Sequence, residues 1–229
     1  MDRLTYSDWG LIPYKQALAQ QRALFDTALA VKITHQPVQN TVIFCEHPPV
    51  FTLGKHGLKS NMLVSEATLK AKGIDVFPIE RGGDITYHGH GQLVVYPIID
   101  LEAFHLGLKT YIHLLEEVII RAIGEYNIHG ERLDGATGVW IDKDDPRKAR
   151  KIAAIGVKSS RYVTMHGLAL NINTDLSYFK LINPCGFVDK GVTSLQQELG
   201  HEIDFETFKK RFKEIFEDLF NNEYRQFDI

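Results

Sequence analysis

Cysteine is scarce in this sequence, and long apolar runs are missing from it. The 229 residues include only 2 cysteines, Cys45 and Cys185, which lie far apart. Two thiols are too few for a disulfide framework, and neither has the spacing of a metal-ligand motif. No run approaches the roughly 20 apolar residues that span a bilayer, and the N-terminal residues lack an apolar signal-peptide core. We therefore expect a soluble, cytoplasmic protein that does not bind membranes.

An excess of positive charge is also missing. The chain has 26 Lys and Arg residues against 29 Asp and Glu residues, which gives a formal net charge of -3. Nucleic-acid-binding domains usually carry a basic surface, so nucleic acid is not expected as a partner. Docking to an acidic protein would need a local basic patch. The length and the 44% hydrophobic content predict a single α/β domain over residues 1–229.

Apolar periodicity predicts helices over residues 13–33, 65–72 and 108–126, and a C-terminal helix that begins near Asp204. Apolar runs predict strands at 41–45, 74–80, 92–99, 137–141, 151–157 and 165–172. The charged insert at 142–150 is expected to be an exposed hairpin loop. Because strands and helices alternate irregularly, the pattern predicts an α/β fold with a mixed sheet flanked by helices.

The segment RGGDITYHGHGQ, residues 81–92, concentrates glycine and ionisable side chains between two predicted strands. Glycines allow the backbone to approach a ligand closely and expose its N–H groups. The segment lacks the lysine of a phosphate-binding loop and the placement of a dinucleotide-binding glycine motif. It is predicted to be a ligand-binding loop, and the alternative is a flexible hairpin connection.

The two cysteines lie in different surroundings. Cys45 ends the apolar run TVIFC, which is typical of a structural cysteine, whereas Cys185 lies in the turn INPCGF. A thiol in a turn is accessible, as a nucleophile must be. Cys185 is therefore the candidate nucleophile on sequence grounds.

Lys151 begins the apolar strand KIAAIGV. A charge is costly to bury there, but a lysine at the start of a strand is usually a solvated strand end. Simple alternation predicts that Lys151 shares a face with Ala153, Ile155 and Val157, and that Lys158 points to the opposite side. Position alone does not decide between a structural and a catalytic lysine.

Taken together and in order, the segments HPPVFTLG, RGGDITYHGHGQ, GVW, KIAAIGVK, HGLALNI and INPCG resemble the lipoyl(octanoyl) transferase family. One position departs from the family pattern, because His90 stands where these enzymes usually have proline. The resemblance implies a fold similar to the catalytic domain of biotin and lipoate ligases. It also implies a thioacyl intermediate on Cys185 and Lys151 as its catalytic partner. The implied substrate contacts are Arg81, Gly82, Gly83, Asp84, Ile85, Thr86, Tyr87, His88, Ala154, Ile155, Gly156, Gly167, Leu168 and Ala169.

The implied reaction moves an octanoyl or lipoyl group from acyl carrier protein to a protein lysine, in lipoate biosynthesis. The implied acceptors are the lipoyl domains of 2-oxoacid dehydrogenase complexes and the glycine cleavage H protein. A thioester donor is already activated, so no cofactor, metal or ATP is expected, and the enzyme is expected to be a monomer. Two alternatives stay open, namely an ATP-dependent lipoate or biotin ligase and a non-catalytic acyl-binding module.

Overall fold

The structure is a computed structural model, and it describes residues 4–183 and 190–223. The strands are β1 (Thr5–Leu11), β2 (Thr41–Glu46), β3 (Val50–Leu53), β4 (Asp75–Pro78), β5 (Ile85–His88), β6 (Gln92–Ile98), β7 (Glu131–Arg132), β8 (Gly138–Ile141), β9 (Arg150–Ser160), β10 (Val163–Asn171) and β11 (Gly191–Val192). The helices are α1 (Tyr14–Ile33), α2 (Glu66–Ala71), α3 (Leu108–Gly124), α4 (Leu195–Leu199) and α5 (Phe205–Asp218).

The strands form two sheets. The main sheet has the order β1-β2-β6-β10-β9-β8-β7, and β11 pairs with β9 outside this path. Most neighbours in the main sheet are antiparallel, whereas β1 is parallel to β2 and β11 is parallel to β9. The smaller sheet has the order β4-β3-β5. The predicted mixed sheet with flanking helices is therefore confirmed.

One face of the main sheet packs against α3 and α5. The buried side chains of α5 predicted from its apolar stripe, Phe208, Phe212, Ile215 and Phe216, lie in this core. Asp204 caps the helix by accepting a hydrogen bond from the Thr207 N–H, as its N-cap position favours. Leu108, an apolar residue at the start of α3, is exposed.

The opposite face of the main sheet packs against α1, which contributes Tyr14, Leu18 and Phe25 to a second core. The small sheet lies on this side as well, since the Tyr14 ring contacts Phe77 of β4 and stacks on His88 of β5. Within the described ranges, no helix is both long enough and apolar enough to cross a lipid bilayer.

The structure differs from the sequence predictions in several details. The segment 81–92 is not a loop throughout, because Ile85–His88 forms β5 and pairs with β3. The N-terminal strand β1 was not predicted, because its residues are mostly half-buried or exposed and show no clear apolar alternation. The helix predicted to reach residue 126 ends at Gly124.

The prediction for the face of Lys151 is wrong, and a β-bulge is the reason. Trp140 of β8 pairs with Lys151 and Val139 pairs with Ala153, so Ile152 is an extra residue in β9. A bulge of this kind reverses the side-chain alternation on one side of it. Ile152 and Ala153 consequently both belong to the core under α3 and α5. Lys151 instead points to the face that carries the Trp140 ring.

The core under α5 gives a stability prediction. Phe212 is fully buried between the rings of Phe44 and Phe208, with centroid distances of 6.3 Å to each. Phe212→Ala should lower the free energy of unfolding by about 3–5 kcal/mol, because it removes a buried ring and leaves a cavity. Urea unfolding followed by circular dichroism measures the change in the free energy of unfolding. The control is Lys210→Ala, a substitution of an exposed residue on the same helix. Equal stabilities of the two variants would contradict the packing described here.

Candidate active site

A cavity of about 470 Å³ lies between the main sheet and the small sheet. Its volume is in the range of small-molecule sites. The structure brings Lys151 and nearly all of the expected substrate contacts to its walls: Arg81, Gly82, Gly83, Asp84, Ile85, Thr86, His88, Ala154, Ile155, Gly156, Gly167, Leu168 and Ala169. Segments that are distant in sequence thus meet at one cavity.

Tyr87 is the expected contact that does not line this cavity. Along β5 the neighbours Thr86 and His88 face the cavity, so Tyr87 points to the other side of the strand. Its ring stacks on Tyr178 with a centroid distance of 4.7 Å and packs beside Phe51. In this structure Tyr87 therefore supports the small sheet.

Small residues on β9 and β10 make room for the cavity and for the loop that covers it. A Cβ atom at Gly156 would lie 2.9 Å from both Arg81 Cδ and the Gly82 carbonyl oxygen. A Cβ atom at Gly167 would lie 2.1 Å from the Val95 carbonyl oxygen. Real Cβ atoms do not approach this closely, so glycine at these two positions is required by packing.

Arg81 holds the covering loop in place. Its buried guanidinium donates hydrogen bonds to the Thr52 carbonyl oxygen and Oγ1, both at 2.9 Å, and to the Gly82 carbonyl oxygen at 3.0 Å. A guanidinium with several acceptors loses little freedom for each bond that it forms. The side chain thus connects β3 to the glycine-rich loop.

Lys151 lies at one end of the cavity. Its Nζ atom donates a hydrogen bond to the Thr137 carbonyl oxygen at 2.9 Å. The same atom lies 4.7 Å from the centre of the Trp140 ring, within the range of a cation–π interaction. The methyl groups of Ala154 and Ala169 line the cavity next to it. Lys151 is therefore an oriented, half-buried amine and not a solvated strand end.

The part of the cavity near α1 is lined by aromatic and imidazole rings that belong to a buried hydrogen-bond network. His47 donates from Nδ1 to the Ile12 carbonyl oxygen at 2.7 Å and accepts at Nε2 from Tyr96 Oη at 2.7 Å. His88 donates from Nδ1 to Gln92 Oε1 at 2.8 Å. These partners fix which ring nitrogen carries the proton in the neutral form of each histidine.

Burial explains why these histidines are neutral. Desolvation, followed by the neighbouring His47, is the main cause that lowers the pKa of His88 to about 3. Desolvation likewise lowers the pKa of His47 to about 4, although the bond to Ile12 opposes the shift. The cavity wall is therefore polar but uncharged at His88, and His47 next to it is neutral as well.

His166 is a cavity residue that the sequence did not single out. It has a φ of 63°, which is uncommon for a residue other than glycine, and it lies where β10 passes Pro97 of β6. Proline has no N–H to donate, so regular pairing is interrupted there. The ring is buried, its Nε2 has no hydrogen-bond partner among the described residues, and desolvation lowers its pKa to about 4.

Cys45 lies close to His47, with Sγ 3.6 Å from Nε2, but the pair does not have the properties of a catalytic dyad. Cys45 is 2% exposed, and burial strongly raises the pKa of its thiol. His47 Nε2 already accepts a hydrogen bond from Tyr96. Since burial disfavours both the thiolate and the imidazolium, Cys45 is structural, as its sequence context indicated.

Cys185 lies outside the described residues, so the predicted nucleophile has no position here. The chain on both sides of it is placed. Asn183 N–H donates to the Asn61 carbonyl oxygen at 2.8 Å, and Val192 of β11 pairs with Lys151 itself. Of these two flanking residues, Val192 lies beside Lys151, and Cys185 precedes Val192 by seven residues in the chain.

Several functional candidates escaped the sequence analysis. Tyr14, Tyr96 and His166 line the cavity, and Thr137 and Trp140 contact Lys151. The motifs GVW and HGLALNI contain Trp140 and His166, so a signal was present without a role attached to it. In residues 4–183 and 190–223, no three His, Cys, Asp or Glu side chains are grouped so that they could hold a metal ion.

Solved structures with a similar fold include lipoate and biotin ligases. The crystal structure of P. falciparum LipL1 in complex with lipoate has a TM-score of 0.71 at 11% identity, over 99% of this chain and 63% of that chain. A putative lipoate protein ligase from T. acidophilum has a TM-score of 0.63 at 12% identity, over 93% of this chain and 83% of that chain. At such low identity these likenesses concern the fold alone, and they confirm the fold implied by the motifs.

Sequence relatives are much closer. An octanoyltransferase of Parabacteroides distasonis is 58% identical over 220 residues, which cover 96% of this chain and 100% of that protein. An octanoyltransferase of Bacteroides thetaiotaomicron is 56% identical over 96% of both chains. The family described as lipoyl protein ligase A/B catalytic domain matches residues 13–217. The resemblance drawn from the motifs is thereby confirmed, and the chain belongs to the lipoyl protein ligase A/B catalytic domain family.

Proposed function

We propose that this protein transfers an octanoyl or lipoyl group from the thioester of acyl carrier protein to a lysine of a lipoyl domain. The acyl group is carried by Cys185 in between, and Lys151 moves the protons. One observation carries the proposal: an oriented lysine amine lies at the end of a cavity with small-residue walls, next to Val192, which follows Cys185 by seven residues in the chain. The names of the close relatives support the same activity.

The cavity suits an acyl chain. Ala154, Gly156, Gly167 and Ala169 give walls without long side chains, and Ile155 and Leu168 add apolar surface. Burial of an eight-carbon chain contributes on the order of 5 kcal/mol, at about 0.8 kcal/mol per methylene. The neutral state of His88 and His166 matters as well, because a charged ring in this wall would hold water and oppose binding of the chain.

The first half-reaction uses Lys151 as an ammonium group. A free thiol is only about 3% ionised at neutral pH, and a neighbouring cation favours the thiolate. The Cys185 thiolate attacks the thioester carbonyl carbon, and the bond from that carbon to the carrier sulfur breaks. The departing carrier thiolate takes a proton from Lys151. The products are the octanoyl-enzyme, the free carrier thiol and a neutral Lys151 amine, so charge and protons balance.

The second half-reaction uses that neutral amine as a base. The amine of the target lysine attacks the thioacyl carbonyl, loses a proton to Lys151, and forms the amide as the Cys185 thiolate leaves. The enzyme then has its starting charges again. The surroundings of Lys151 suit both forms, since the Trp140 ring and the Thr137 carbonyl favour the ammonium, and the alanine walls favour the amine.

The partners proposed for this reaction are acyl carrier protein as donor, and as acceptors the lipoyl domains of 2-oxoacid dehydrogenase complexes and the glycine cleavage H protein. The proposal includes a single catalytic domain over the whole chain, acting as a cytoplasmic monomer without metal or cofactor. A size-exclusion and light-scattering measurement of the purified protein tests the monomer.

An ATP-dependent ligase is the second candidate function, because the fold is shared with lipoate and biotin ligases. Such an enzyme would activate free octanoate with ATP and would not need Cys185. Incubation with free octanoate and ATP, in parallel with octanoyl carrier protein, separates the two functions. Modification of a lipoyl domain only in the ATP reaction would replace the transferase proposal with the ligase.

The nucleophile is tested by removing each thiol in turn. Cys185→Ala should abolish octanoyl transfer and the covalent octanoyl adduct, whereas Cys45→Ala should keep both, because Cys45 is buried and its thiol is hard to ionise. Intact-protein mass spectrometry after mixing with octanoyl carrier protein detects the adduct. An adduct on Cys45 would reject the assignment. If the protein binds the donor but forms no adduct on either cysteine, the result would support a non-catalytic acyl-binding module.

The role of Lys151 is tested through the reactivity of Cys185. Lys151→Ala should raise the pH at which iodoacetamide alkylates Cys185, because the thiolate loses a neighbouring cation. Lys158→Ala is the matched control, as this lysine lies on the same strand but over the Phe25 ring. Identical alkylation profiles for Lys151→Ala and the unsubstituted protein would remove Lys151 as the electrostatic partner of the thiol.

The neutral histidines of the cavity are tested by titration. The pKa values of His47, His88 and His166 are lowered to between about 3 and 4, so these rings should stay neutral at pH 5 in proton NMR spectra. The unfolded chain takes up these protons near pH 6.5 and the folded chain does not, so stability should fall as the pH drops from 6.5 towards 4. Each ring contributes on the order of 1–2 kcal/mol to this loss at pH 5. Titration of these rings near pH 6.5 would contradict the description of the cavity wall.

A further inference from the structure

The motif GVW, together with the threonine before it, surrounds the Lys151 amine. Thr137 supplies the carbonyl oxygen that accepts from Nζ, and Trp140 supplies the ring face. Thr137 directly precedes β8 and Trp140 lies within it, so the position of the lysine amine depends on the position of this short backbone segment. An interaction that holds residues 137 and 138 in place therefore also positions the Lys151 amine.

Gly138 is held by a buried carboxylate. Its N–H donates to Glu116 Oε1 at 3.0 Å, and its φ of 122° is unfavourable for other residues. A Cβ atom at this position would lie 2.4 Å from the Ala153 carbonyl oxygen. The peptide between Thr137 and Gly138 therefore has its carbonyl oxygen on Lys151 and its N–H on Glu116.

Glu116 is an unusual residue for the inner face of α3. It is 7% exposed, and burial raises the pKa of its carboxyl group, whereas the Gly138 N–H, Arg132 and Lys151 act in the opposite direction. Its second oxygen lies 3.2 Å from Arg132 Nε. A buried carboxylate is costly unless it is paired and hydrogen-bonded, so this position calls for an explanation beyond the packing of a helix.

We propose that Glu116 is a positioning residue for Lys151. Through the Thr137–Gly138 peptide it holds the amine at the end of the cavity, and its negative charge favours the ammonium form of that amine. The inference rests on the proposed function, because it assumes that Lys151 must change its protonation state between the two half-reactions.

The effect is clearest in the octanoyl-enzyme. Once the sulfur is acylated it carries no charge, so the charge balance around Lys151 is set by the groups that remain. Those that line the same region are Glu116, Lys109 and His113 of α3, Arg132 of β7, Asp134 in the loop that follows, and Lys190 before β11, and Arg81 and Asp84 of the covering loop line the same cavity as Lys151. Of the three acids in this set, Glu116 is the buried one, so its charge is the least screened by water.

The test is the pH dependence of the second half-reaction. Octanoyl-enzyme is isolated, mixed with a lipoyl domain, and the rate of amide formation in a single turnover is measured from pH 6 to pH 9. Glu116→Gln keeps an oxygen that can accept from Gly138 but loses the charge. It should move the midpoint of the rising limb to lower pH by about 0.5–1 unit, because the Lys151 ammonium is less favoured.

Two further variants separate charge from position. Glu116→Asp keeps the charge but is too short to hold Gly138 in the same place, so it should lower the plateau rate by about tenfold and leave the midpoint near its original value. Glu117→Gln is the matched control. Glu117 is the neighbouring residue and also pairs with Arg132, but its other partner is Arg121 and not β8. Glu117→Gln should change neither the midpoint pH nor the plateau rate.

A midpoint that does not move in Glu116→Gln, with the thermal unfolding temperature retained, would overturn the inference. An equal shift in Glu117→Gln would also overturn it, since the effect would then be a general one of charge on α3. Failure of the unsubstituted protein to form an octanoyl-enzyme would instead reject the proposed function, and the adduct measurement detects this before any variant is compared.

Discussion

One extra residue in β9 decides which side of the main sheet carries the lysine amine. Ile152 and Ala153 both enter the core under α3 and α5, so Lys151 faces the small sheet. Without this bulge the amine would lie among the apolar side chains of that core, far from the glycine-rich loop. The ring of Trp140 and the walls of the cavity lie on the face that the bulge selects.

The covering loop and the sheet below it depend on each other through glycine. The Arg81 side chain and the Gly82 carbonyl occupy space that a Cβ atom at Gly156 would need. The guanidinium then connects this loop to Thr52 of β3. Glycine and alanine residues on β9 and β10 leave room for the cavity between the two sheets.

The histidines in and beside the cavity are buried and neutral, whereas the side chains near the Lys151 amine include charged groups. His47 and His88 have their proton positions fixed by Ile12 and Gln92, and burial keeps them uncharged. Lys151 and Glu116 lie at the other end, joined through one peptide bond of β8. This separation suits the proposed reaction, in which an apolar chain is buried and protons move at its carboxyl end. The proposed positioning role of Glu116 gives a reason for the buried carboxylate on α3.

The sequence by itself determined the class of fold and the family. The apolar stripe of α5, the N-cap at Asp204 and the strand run of β6 are local patterns, because they depend on the spacing of nearby residues. The ordered motifs likewise identified the loop and strands that line the cavity. Only the tertiary structure decided three other features. They are the face of the main sheet on which the Lys151 amine lies, the direction of the Tyr87 side chain away from the cavity, and the position of His166 in the cavity wall. Each depends on a partner strand distant in sequence: β8 for the bulge, β3 for the direction of β5, and Pro97 of β6 for the irregular backbone at His166.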